Sequence, residues 1–140
     1  MKKMINTSMI YFIAAMVAGV FYREFTKLQG FTGKTTLSVM HTHLLVLGMF
    51  LFLIAALFCG LERKPAEHKA FQRFYVLYNI SLPFFCVMLL IRGILQVQGA
   101  DLSSGINAMI AGIAGISHIL MTVSLVFFFL ALKKTFAERN

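Results

Sequence analysis

Three of the four histidines in this chain stand in apolar sequence, where an ionisable side chain costs enough free energy to need a reason. They are His41 and His43 in the run MHTHLLVLGMF, and His118 in GIAGISH. A neutral imidazole offers a lone pair to a metal or a site on a proton path, so ligation and proton transfer are the chemistries at stake. His68, between Glu67 and Lys69 in a charged loop, reads as solvated.

His41 and His43 are two residues apart, so on a helix their side chains point about 200° apart and cannot bind one metal from the same side. Either each serves its own site, or one does and the other hydrogen-bonds to a neighbouring helix. Gly48 follows His41 by seven residues, which puts it on the same face two turns deeper and leaves room for a flat cofactor. Ala114 and Gly115, one turn before His118, offer a similar approach. A lone intramembrane imidazole such as His118 also suits a helix-to-helix hydrogen bond, worth about 1 kcal/mol.

The elements that must position these residues are membrane helices. The chain has 140 residues, 59% of them hydrophobic and only 13% charged, and its mean hydropathy is +0.83, outside the range of soluble globular proteins. A hydrocarbon core about 30 Å thick takes about 20 apolar residues per helix. The expectation is all-α: one polytopic four-helix domain over residues 1–140, with spans at about 8–22, 36–61, 74–97 and 106–132. The first span is short and must borrow residues from its flanks. Glu62, Arg63, Lys64 and Pro65 close the second span, and Pro83 should kink the third unless neighbours re-satisfy the freed carbonyl.

Ala15 with Gly19, Ala108 with Gly112, and Ala111 with Gly115 are spaced for close helix contact in a bundle or an oligomer. Cys59 and Cys86 lack any paired spacing and read as packing residues. Tyr22 and Tyr75 fall at opposite boundaries, as interfacial anchors do. The Lys2, Lys3 start resembles a secretory leader, but no small-x-small cleavage pattern precedes Tyr22, so the segment is expected to remain as a helix.

The net charge of +8 lies at the ends of apolar runs and forms no basic patch interleaved with aromatics, which speaks against nucleic acid. It reads as topology. Lys2, Lys3, Arg63, Lys64, Lys69, Arg73, Lys133, Lys134 and Arg139 fall on one side, and Arg23, Lys27, Lys34 and Arg92 on the other. That bias puts both termini in the cytoplasm and the histidine pair near the outer surface. Counting from the cytoplasmic ends at about 1.5 Å per residue places His118 about 22 Å up, His43 about 28 Å and His41 about 32 Å. A His41–His43 pairing between neighbouring copies is then better matched in depth than one with His118.

The segment Met40 to Phe50 resembles the His-x-His helix of the heme-copper oxidase and nitric oxide reductase superfamily in its spacing, its later glycine and its place near the outer surface. The whole chain, including FYREFTK at Phe21 to Lys27 and TTLSVMHTHLLVLG, is similar to a family of small bacterial membrane proteins of unknown function, which implies a bacterial cytoplasmic (inner) membrane. The oxidase resemblance implies heme b with His41 and His43 as candidate iron ligands and Gly48 beside the porphyrin; His118, with its own small-residue approach, is the competing internal ligand. Arg23, Lys27, Lys34 and Arg92 lie at the level where propionates would emerge, and arginine forks suit carboxylates. The same four cations also suit lipid head groups.

That superfamily is built from three arcs of four helices with the second helix of each arc innermost, so the resemblance implies a homo-oligomer, a trimer favoured, with each iron between His41 of one protomer and His43 of the next. The chain lacks the His-Pro-Glu-Val-Tyr element and the adjacent His-His pair that hold copper there, which speaks against oxygen reduction at a binuclear centre. Bis-imidazole ligation leaves no open position and points to electron transfer, with redox or gas chemistry next; the electron donor is not identified. The alternative is a small proton or metal-ion transporter or channel subunit with a histidine-lined path. No nucleophile–base pair or phosphate loop marks the chain as an enzyme in its own right, so any catalysis would be the cofactor's.

Overall fold

The computed structural model describes residues 1–61 and 65–137; Glu62, Arg63, Lys64 and Arg139, used above for topology, lie outside them. Four helices long and apolar enough to cross a membrane fill the described chain: Lys2–Leu28, Leu37–Leu61, Lys69–Val97 and Ser104–Ala137. Each of the first, third and fourth runs past the apolar span read from sequence, because backbone hydrogen bonding continues through polar and basic ends whose side chains reach toward water. The first gains most, reaching 27 residues.

Glycine stops two of these helices at the same end of the molecule. Gly30 (φ +60°) and Gly99 (φ +62°) take the left-handed conformation, which lets Phe31 N–H reach Thr26 O and Ala100 N–H reach Leu95 O. The molecule therefore has a glycine-capped end and, opposite it, a termini end that includes the short 3₁₀ turn Pro65–Glu67.

The first and second helices pack as one antiparallel hairpin and the third and fourth as another, with the second and third joining them. The core is densest toward the termini end. There Phe52 stacks on Tyr11 at 5.6 Å between ring centroids, and Phe74 meets Phe128 at 4.7 Å and Tyr78 at 5.3 Å. Two polar rungs one turn apart link the first and third helices: Thr7 Oγ1 with Tyr75 Oη (2.8 Å), and Tyr11 O–H donating to Asn79 Oδ1 (3.1 Å). Tyr75 is thus tied into the interior. The third helix continues through Pro83, which has no N–H to donate to the Asn79 carbonyl.

The seam between the third and fourth helices differs from the small-residue pairs read from sequence. Ser117, Ser124 and Ala131, seven residues apart, are fully buried, and both serine hydroxyls bond their own helix at Ala114 O and Met121 O. With its hydroxyl satisfied locally, serine packs as a small residue. Ala108, Ala111, Gly112 and Gly115 instead lie exposed on the outward face, with open space where a Cβ at either glycine would go.

Candidate functional site

The start of the second helix is fastened to the third by hydroxyls and a close glycine. Thr35 O–H donates to Gly93 O (3.0 Å), Thr36 O–H to Leu89 O (2.8 Å), and Thr36 N–H to Gln96 Oε1 (2.8 Å). At Gly93 an added Cβ would stand 2.5 Å from Leu37 Cγ and 2.8 Å from its backbone nitrogen, so only glycine permits this approach. These contacts set the height at which His41 and His43 emerge, one to two turns further on.

Directly after His43 the helix widens into seven residues of π-helix, Leu44–Phe50. Such segments are uncommon and disturb the regular carbonyl ladder. Ser8 O–H donates to Met49 O (2.8 Å) and Tyr78 O–H to Leu47 O (2.9 Å), so neighbours on the first and third helices supply donors to the altered turns.

The two histidines diverge as their spacing requires. His41 faces the first helix, where its Cβ and Cγ would meet a Cβ at Gly19 at an ordinary 3.8 Å. Its Nδ1 is buried with no hydrogen-bond partner, and its Nε2 lies 3.4 Å from the Thr42 hydroxyl. His43 turns the other way, to the third helix, with its ring centroid 5.3 Å from that of Phe85. Its Nδ1 is 2.7 Å from Val39 O. A carbonyl can only accept, so Nδ1 carries the proton and Nε2 of the neutral ring keeps its lone pair.

His118 shows the same arrangement. Its Nδ1 lies 2.9 Å from Ala114 O, and its ring meets Phe85 edge-on at 4.5 Å. The imidazoles of His43 and His118 therefore flank one buried phenylalanine. The depth mismatch counted from the helix ends does not separate them. That count assumed straight α-helices ending at the apolar boundary, whereas the second helix contains a π segment and the fourth runs on to Ala137. His118 is exposed, and a groove of about 240 Å³ lined by Thr42, His43, Val46 and Leu47 opens beside His43.

Gly48 does not leave room for a cofactor. A Cβ there would lie 2.6 Å from the Tyr11 ring, so the first helix already fills that space and Gly48 is a packing residue. The open surface lies at Gly115, three residues before His118 on the fourth helix.

All four cations named for carboxylate binding are exposed toward the glycine-capped end. Arg23 makes a long contact with Glu24 (3.8 Å, with side chains 80% and 51% exposed), worth little in solvent. Lys27 and Lys34 are exposed at the end of the first helix and in the following loop. Arg92 lines a small cavity of about 120 Å³ with Gln96, Asn107 and Ile110 between the third and fourth helices. It follows Phe85 by seven residues, hence on nearly the same face and about 10 Å nearer the glycine-capped end.

His68 begins the third helix, half-buried, where Gln72 N–H donates to its carbonyl. Cys59 and Cys86 are buried and unpaired. Among the described residues no three His, Cys, Asp or Glu side chains are grouped to hold a metal ion. Sequence reasoning missed Phe85, for which one phenylalanine among fifteen gave no signal, and it missed the hydroxyl fastening by Thr35 and Thr36.

A family model described as Protein of unknown function (DUF2871) matches residues 1–135. No curated protein and no solved structure matches the chain.

Proposed function

The chain belongs to that family, and from this premise and the geometry of its imidazoles we propose that it is a b-type heme protein of the bacterial cytoplasmic membrane, serving electron transfer. One observation carries the reading: His43 and His118 both commit Nδ1–H to a carbonyl one turn back, both keep Nε2 free, and both meet Phe85. Histidines that ligate metals characteristically fix one ring nitrogen in this way.

The donor set fits a porphyrin better than a bare ion. Heme brings four equatorial nitrogens, so two imidazoles complete its coordination, whereas a free ion needs three or more protein donors of a kind not grouped among the described residues. Within one chain His43 and His118 share a contact with Phe85, and open surface lies at Gly115 on the helix that carries His118. His41, whose buried Nδ1 lacks a partner, remains the candidate for an iron shared with another protomer. Arg92 would meet a propionate, with Arg23 at a similar distance from its capping glycine and Lys27 and Lys34 closer to that end. When bound, heme supplies one-electron chemistry. The protein's part would be to hold two imidazoles against Phe85 with each Nδ1 already turned to a backbone carbonyl.

The test is the absorption spectrum of detergent-purified protein, alone and after heme addition. The expected result is a Soret band with sharp low-spin visible bands, lost in His43→Ala and His118→Ala and retained in His41→Ala. Loss in His41→Ala with retention in His118→Ala would assign the iron to neighbouring protomers. No Soret band under either condition overturns the proposal.

A second reading, a proton path, draws on the two polar rungs Thr7–Tyr75 and Tyr11–Asn79, which carry exchangeable protons into the apolar interior. Proton flux in liposomes that is abolished by Asn79→Leu, in protein with no heme signature, would favour it.

A further inference from the structure

A groove of about 580 Å³ lies between the third and fourth helices toward the termini end, its cationic mouth twelve or more residues along the third helix from the Phe85 that the imidazoles touch. Its lining has an order. Lys69, Gln72 and Arg73 occupy the first turns of the third helix, and Val76, Leu77 and Ile80 follow, faced by Phe127 of the fourth. Lys69, Arg73, Val76 and Ile80 fall at successive spacings of four, three and four, which is one face of a helix. Along that face the surface passes from cationic to wholly apolar over about 16 Å.

The sign and sequence of these groups define a ligand. Both charges are positive, and among the described residues the single salt bridge is Arg23 with Glu24, so neither Lys69 nor Arg73 has a carboxylate partner there. The Arg73 guanidinium lies 5.9 Å from the centroid of the Phe127 ring, which holds it at the groove's edge. A cationic mouth above an apolar channel, at the level where the third helix leaves the hydrocarbon, matches a phosphate above an acyl chain. Basic pockets between transmembrane helices on the cytoplasmic side select anionic lipids for this reason.

We propose that this groove binds an anionic phospholipid, its phosphate held by Lys69 and Arg73 and one acyl chain laid over Val76, Leu77, Ile80 and Phe127. A second copy of the chain is the competing occupant. In a two-fold contact it is disfavoured, because Lys69 and Arg73 of both copies would be set close together in a desolvated seam.

Native mass spectrometry of the full chain, titrated with phosphatidylglycerol or phosphatidylcholine of identical acyl chains, tests the proposal. Phosphatidylglycerol is expected to be retained in preference to phosphatidylcholine, and Lys69→Gln with Arg73→Gln should weaken its binding about thirtyfold, at roughly fivefold per lost cation. Lys133→Gln with Lys134→Gln removes the same charge from the same end and should change it far less. Val76→Trp, which fills the channel but keeps both cations, should weaken both lipids and so reports on the groove even if the double variant folds poorly. Equal retention of the two lipids, or equal losses from the two double variants, overturns the site. So does a change in oligomer mass with unchanged lipid binding in Lys69→Gln, Arg73→Gln.

Discussion

At the scale of single residues, what distinguishes His43 and His118 is what their inner nitrogens do. Val39 O and Ala114 O each hold an Nδ1–H, fixing the tautomer before any ligand arrives, so the rotational entropy of the ring is already spent. Tyr78 plays a similar part for the backbone. Its hydroxyl, on a fully buried ring, donates to Leu47 O inside the π segment. Tyr78→Phe leaves that carbonyl without its donor in an apolar interior and is expected to lower stability by about 1–3 kcal/mol, read as a fall in the thermal unfolding midpoint in detergent. The histidines were legible from sequence because ionisable groups stand out against hydrocarbon. Gly48 misled for the opposite reason: a glycine reports that something comes close, and sequence does not say whether it is a ligand or, as here, the ring of Tyr11.

At the scale of elements, the four helices were legible because nothing but apolar runs of this length makes such spans, while their ends were not, because helix and hydrocarbon need not stop together. The π-helix left no sequence signal, since LLVLGMF satisfies either hydrogen-bonding pattern equally. The register of the second helix against the third rests on Gly93. Gly93→Val forces side-chain atoms into Leu37 and its backbone nitrogen, which no rotamer relieves. The expected outcome is a site displaced more than a fold destroyed: heme affinity should fall at least tenfold while helical content by circular dichroism stays near wild type. Gly105→Ala, with open space at its Cβ and thirteen residues before His118, should leave fold and heme affinity unaltered and serves as the control.

At the scale of the molecule, the chain is two hairpins joined along the second and third helices, and the aromatic interior sits toward the termini end. The fourth helix touches mainly the third, and its outward face carries Met109, Ile116, Ile119 and Val123 beside Ala111 and Gly115. That face was legible as small residues but not as to its partner, because sequence spacing does not say whether a helix meets its own chain or another. With His41 serving an iron shared between copies, mass measurement in detergent should give a homo-oligomer, a trimer favoured.

The uneven packing has a consequence for how the protein could be completed after synthesis. Its aromatic interior packs ring against ring behind the termini-end groove, and beside His43 a separate groove of about 240 Å³ opens at the surface where His118 is exposed. A hydrophobic cofactor dissolved in the bilayer would therefore reach these imidazoles along the plane of the membrane, with neither the core nor the hairpins taken apart.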